Sequence, residues 1–306
     1  MKKLSQWLGG LLAVQLLAAS GMLWMDTYQQ TPLAAPLLAT SPAAVDKIVI
    51  TEGDQHTTLV KSSEQWRLPD LKSLPADQSK VGNLLAKLSE QKTTYPIATQ
   101  SNSHERFELT EDNAQRRVQL FAGQASVGHY LLGTSPGLRQ LHLRRANEDA
   151  VYTVNLNRFD FLGDQQQWLD RSLLAAKSPV EIAGADFTLK KEEQHWALVD
   201  AEDIEVDSGK VSALATALSN LRVQSVAEGV IFEPETSAKL QVVNTGQPEP
   251  LHYQLMQHDN KYYIKRSDFD TAFEVSEFDF KRLHAPELST LVANHNKEDA
   301  NTGDQS

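Results

Sequence analysis

Between residues 45 and 90 the apolar positions first alternate and then settle into a helical stripe. Lys47 to Thr51, Thr57 to Lys61 and Gln65 to Leu68 are short runs rich in β-branched and aromatic residues, and Gly53-Asp54 and Ser62-Ser63 separate them. Turn residues between alternating runs predict a small antiparallel meander. Val81, Leu84, Leu85 and Leu88 follow at i, i+3, i+4 and i+7, the single apolar face of an amphipathic helix. Asp77 precedes that face and is the expected N-cap, its carboxylate satisfying an orphan amide of the first turn. Further strands are predicted over Arg106 to Leu109, Arg117 to Phe121, His129 to Leu132, Gln140 to Arg144 and Ala150 to Leu156, with glycine-rich or polar breaks between them. The block closes on Phe159-Asp160-Phe161-Leu162 and an amphipathic piece from Trp168 to Leu174.

The pattern then recurs. Shifting the chain by 130 residues lays residues 58–89 on 188–219 without a gap and matches Trp66 with Trp196, Leu68 with Leu198, Asp77 with Asp207, Val81 with Val211, Leu84 with Leu214 and Leu88 with Leu218. Phe159-Asp160-Phe161 is echoed by Phe278-Asp279-Phe280 at an offset of 119, so the second block is shorter. The expected architecture is α+β: two tandem related units, 45–176 and 177–293, each a mostly antiparallel meander with one amphipathic helix.

Residues 7–25 carry no charge, and at about 1.5 Å per helical residue they cover roughly 28 Å, close to a bilayer's hydrocarbon core. Residues 1–25 therefore read as a transmembrane anchor or an uncleaved signal, with cleavage after Ser20 as the alternative. Lys2 and Lys3 before the span place the bulk of the chain outside the cytoplasm, on the periplasmic face of an inner membrane. Residues 26–44, with three prolines and one charge, read as an extended tether; an interfacial segment resting Leu33, Leu37 and Leu38 on lipid competes with that reading. Residues 294–306 are polar, lack aromatics and are expected to be disordered.

The ordered series Trp66-Arg67-Leu68, Pro75-Ala76-Asp77, Val81, Leu84, Leu85 and Leu88 resembles the opening of the bacterial domain-of-unknown-function family DUF4340. Phe107-Glu108-Leu109-Thr110, His129-Tyr130-Leu131-Leu132-Gly133-Thr134 and Val151-Tyr152-Thr153-Val154 resemble its later blocks, so the likeness covers about residues 45–174. It implies a single-pass membrane protein facing outward and a neighbourhood of ABC-type transporter subunits as partners; it carries no catalytic residue over. In the second block Val199 replaces Pro69 and Glu205-Val206 replaces Pro75-Ala76, which argues against one ligand site shared by both halves.

Composition narrows the chemistry. A net charge of -11 has the wrong sign for phosphate binding, and the absence of cysteine removes disulfides, thiolate metal sites and a Cys nucleophile. Glu202, Asp203, Glu205 and Asp207 invite a calcium loop, but Ser208 stands where such a loop needs glycine and Leu214 where it needs a bidentate Glu. His252 and His258 are six strand residues apart, roughly 20 Å, too far to share a metal. His129 and His142 together fall short of a ligand set. No cofactor is implied.

Asp160 and Asp279, each between two phenylalanines, are the pair most suited to acid–base work, and capping or turning is the competing role. The 18 basic and 17 acidic residues of 1–180 contrast with 11 and 23 in 181–306. Within the first block Arg116, Arg117, Arg139, Arg144 and Arg145 form a candidate docking face for a partner, lipid headgroup or glycan, against the reading of solvated hairpin tips. The expected function is a non-enzymatic, membrane-tethered binding or scaffold module accessory to a transporter complex. The rivals are an enzyme acting on cell-envelope polysaccharide through Asp160 and Asp279, and a glycan- or peptide-binding domain without turnover.

Overall fold

The computed structural model describes Gln15 and residues 35–293 apart from 194, 200, 202, 233–236 and 285. The anchor apart from Gln15, the tether up to residue 34, Glu202 and the tail from 294 lie outside the described residues, among which no helix is long and apolar enough to cross a membrane. The chain is α+β with mostly antiparallel sheet and divides into two compact units, 1–70 with 79–165 and 71–78 with 166–306.

In the first unit the predicted meander is β1 (Lys47–Glu52), β2 (Gln55–Ser62) and β3 (Gln65–Leu68). Helix α1 (Gln78–Glu90) follows, then β4 (Arg116–Ala122), β5 (Ala125–Leu132), β6 (Leu141–Arg145) and β7 (Val151–Val154). These strands lie in the order β7-β6-β5-β4-β1-β2-β3, every neighbour antiparallel. The predicted stripe of α1, Val81, Leu84, Leu85 and Leu88, is buried, as are Ile48, Leu59, Trp66, Leu68 and Leu120. Each such side chain contributes about 1.5–3 kcal/mol, and in a chain without cysteine this burial has to hold the fold.

Arg106 to Leu109 is not a strand. It forms turns in which Glu108 takes a φ of 55° and the Leu109 amide bonds to the His104 carbonyl. Phe107 and Leu109 pack with Leu131 and Val151, which explains the strand-like alternation of a segment that lacks a ladder. Gly133 is required beneath it, because a Cβ there would lie 2.0 Å from the Phe107 carbonyl oxygen.

The second unit contains β8 (Pro179–Ala183), β9 (Thr188–Glu192), β10 (His195–Leu198) and α2 (Ser208–Ser219). Then come β11 (Val223–Ala227), β12 (Ala238–Asn244), β13 (Gln247–His258), β14 (Lys261–Arg266), β15 (Ala272–Val275), α3 (Glu277–Leu283) and α4 (Leu288–Leu291). The sheet runs β10-β9-β8-β12-β13-β14-β15-β11. Asp207, the match of the expected cap Asp77, caps α2, accepting from the amides of Gly209 and Lys210.

Several details recur at matched positions. Lys61 pairs with Trp66 across β2 and β3, and Lys191 pairs with Trp196 across β9 and β10; both indoles are buried, at 6% and 9% exposure. Ala76 bridges Leu169 while the Asp77 amide bonds to the Trp168 carbonyl; Val206 bridges Val292 while the Asp207 amide bonds to the Leu291 carbonyl. Trp168 to Leu174, expected as an amphipathic piece, is a 3-10 turn over Gln165–Trp168 followed by this extended bridge and further turns. The bridge needs extended backbone at Leu169, which a continuing helix would not supply.

A candidate partner-binding cleft

Leu37 and Leu38, assigned by sequence to the tether or to a lipid surface, are each 2% exposed and belong to the first unit. Their amides bond to the carbonyls of Gln91 and Leu88 at the end of α1. The segment from Ala35 to Ala39 is thus a strap over one end of the unit, held from the sheet by the buried Tyr130 and the half-buried Arg145. Tyr130, on β5, donates to the Leu37 carbonyl at 2.7 Å, and Arg145, opposite it on β6, donates to the Pro36 carbonyl at 3.0 Å. Burial pushes the Tyr130 phenol up to about 12, the nearby Arg145 cation opposing it, so the hydroxyl remains a donor.

Between strap and sheet lies a cleft of about 630 Å³, lined by the strap, by β5 from Ser126 to Tyr130 and by the end of β6 through Glu148. Its floor depends on Gly128, where a Cβ would meet the Tyr130 hydroxyl at 2.6 Å. Among the described residues the wall on the β5 side is a strand edge, because the ladder with β6 covers only Tyr130 to Leu132. The cleft therefore offers backbone hydrogen-bonding groups, the His129 ring and the Arg145–Glu148 pair.

The arginines expected to form a docking face are mostly used internally. Arg116 is buried, bonded to the Phe161 carbonyl and paired with Glu52, whose other oxygen accepts from the Gly163 amide. Desolvation lowers its pKa, with Glu52 opposing the shift. Arg144 is buried and donates to the carbonyls of Leu109, Ala146 and Glu148. Arg117 is half-buried and donates to the Glu111 carbonyl. Only Arg139, in an exposed turn with φ of 56°, is free of such service among the five, while Arg145 serves the strap. Charge counting missed this, because a guanidinium that satisfies buried carbonyls reads in sequence like a solvated one.

Asp160 and Asp279 are both bonded within a helix start. Asp160 completes a capping box with Asn157 and pairs with Lys87 at 2.7 Å; Asp279 bonds to Ser276, whose hydroxyl accepts from the Asp279 amide at the start of α3. Phe161 and Phe280 go inward while Phe159 and Phe278 are exposed beneath Arg158 and Arg282. Asp203, Glu205 and Asp207 do not form a metal site, and no group of metal-ligating side chains occurs among the described residues. His252 and His258 are exposed; His142, its pKa lowered by burial and by Arg106, bonds to Thr134. In the second unit a bay of about 480 Å³ lies beside Trp196 and Ala215, and Ala215 matches buried Leu85 of α1.

The model of the family described as "Domain of unknown function (DUF4340)" matches residues 66–245. The chain belongs to this family. The match runs from the start of β3 to the end of β12, so the DUF4340 region extends beyond the first block, where the resemblance had placed it, and takes in part of each unit. No curated protein and no solved structure matches the chain.

Proposed function

We propose that this DUF4340 protein is a non-enzymatic module, anchored in the inner membrane through residues 1–25, that holds a partner outside the cytoplasm. The observation carrying the reading is the first-unit cleft, in which a strand edge faces a strap fixed by Tyr130 and Arg145. A wall of strand backbone is suited to holding a polypeptide. The bonds made by Asp160 and Asp279 favour binding over glycan hydrolysis, since each carboxylate is occupied at a helix start.

We further propose that the two units descend from one duplicated fold. The matched Lys–Trp registers, the matched bridges at Ala76 and Val206, and the inward Phe161 and Phe280 support this. Transporter subunits are the partner class that the resemblance favours. Gentle solubilisation of the full chain from its own membranes should recover transporter subunits with it; recovery of the chain alone, or turnover of envelope polysaccharide abolished by Asp160→Asn, would contradict the proposal.

A further inference from the structure

We infer that the bay of the second unit binds a small sugar carrying one carboxylate, a site independent of whatever the first-unit cleft holds. The argument begins with two residues that face each other across a ladder. Lys191 pairs with Trp196, and Leu189 pairs with Leu198. Residues opposite each other, and residues two apart on one strand, share a face of the sheet. Lys191 and Trp196 therefore stand on the side that carries the buried Leu189 and Leu198. Both line the bay, together with Pro179 and, on α2, Ser212, Ala215 and Thr216. Its volume of about 480 Å³ lies within the range of about 300–1,000 Å³ usual for small-molecule sites.

At this place the two blocks differ in a consistent direction. In the first, Lys61 pairs with Glu64 at 2.7 Å. The match of Glu64 is Gln194, an uncharged residue outside the described ones, and Lys191 makes no ion pair among the described residues. Glu192 lies on the opposite face, where it approaches His195. Glu90, at the end of α1, is matched by Asn220, so the bay is lined by one charged residue, Lys191, and by no carboxylate. The surrounding sequence runs the other way, with 23 acidic against 11 basic residues over 181–306. On the helix, Leu85 is matched by Ala215, Gly82 by Ser212 and Ala86 by Thr216; the first difference removes bulk and the other two add hydroxyls. The side chains of Ser212, Thr216 and Asn220 are exposed and make no hydrogen bond among the described residues.

These differences fit one ligand chemistry. A single cation beside hydroxyl and amide groups matches a molecule with one negative charge and several hydroxyls. Pro179 and the Trp196 indole add apolar surface for the C–H groups of a sugar ring. A neutral sugar leaves Lys191 unused, and a simple carboxylate leaves the hydroxyls unused. A polyphosphate would need several cations where the bay has one.

The test titrates the detergent-solubilised full chain with glucuronate, glucose and acetate, each followed by ligand-observed NMR. Glucuronate should bind about tenfold more tightly than either of the others. Lys191→Gln should reduce glucuronate to the level of glucose and leave glucose unchanged, while Lys61→Gln, at the matched position, should behave as wild type. Ala215→Leu fills the bay and should weaken glucuronate and glucose alike. Thr216→Val, at an exposed position, should also weaken both, and an unchanged melting temperature for this variant separates lost binding from lost folding. Equal affinity for glucuronate and glucose, no binding of either, or a preference that survives Lys191→Gln would overturn the proposal. Partner capture by the first unit is read separately, by co-purification, and stands or falls without it.

Discussion

The Tyr130 hydroxyl donates to the carbonyl of Leu37, 93 positions earlier, and so pins the entry of the chain to the middle of its sheet. Tyr253 repeats the bond to Leu174 at 2.9 Å, just ahead of β8, and each tyrosine sits opposite an arginine, Arg145 or Arg266. Tyr130→Phe leaves a carbonyl without its donor and should cost about 1–3 kcal/mol in urea unfolding. The pH dependence has a definite sign. The folded phenol is raised from 10.0 to about 12, so its contribution is complete below pH 10 and is lost as pH rises toward 12. Wild-type stability should fall across that window by on the order of 2–3 kcal/mol more than that of Tyr130→Phe; parallel curves would refute the burial of this hydroxyl.

Arg116 and Arg139 should behave oppositely. Arg116→Ala strands Glu52 and removes the donor to Phe161, a loss of about 3–5 kcal/mol. Arg139→Ala, in an exposed turn, should stay within about 0.5 kcal/mol. Chemical denaturation of the two variants decides whether the arginine cluster is a docking face or mostly part of the core.

The matched tryptophans predict matched damage. Trp66→Ala and Trp196→Ala should each cost about 3–5 kcal/mol, and Asp207→Ala, which removes the cap of α2, about 0.5–2 kcal/mol. Limited proteolysis should place the Trp66 lesion in the first unit and the Trp196 lesion in the second.

Ala215→Leu restores in α2 the side chain that α1 carries as Leu85. If the bay beside Trp196 is an unfilled core position, the variant should gain about 0.5–2 kcal/mol in thermal unfolding. A loss of similar size would mean that the walls have already closed on the alanine.

The sequence made the meander, the α1 stripe and the cap at Asp207 legible because each depends on local periodicity or on a side chain bonding to its own turn. Arg106 to Leu109 misled because its apolar residues alternate while packing on a sheet instead of joining it. The strap misled differently: Leu37 and Leu38 sit in a proline-rich stretch with no period, and only long-range bonds from Tyr130 and Arg145 identify them as part of the fold. The cleft was not legible at all, since an open strand edge is a property of where β6 ends.

The account holds that one arrangement is built twice and left open once. Residue-resolved amide exchange on the solubilised chain without partner tests this most directly, at His129 and His252. The His252 amide, held by the Ser267 hydroxyl, should exchange at least tenfold more slowly than the His129 amide, whose carbonyl accepts from Ala146, a residue with no hydroxyl to return the bond. Equal protection at the two positions, or slower exchange at His129, would contradict it.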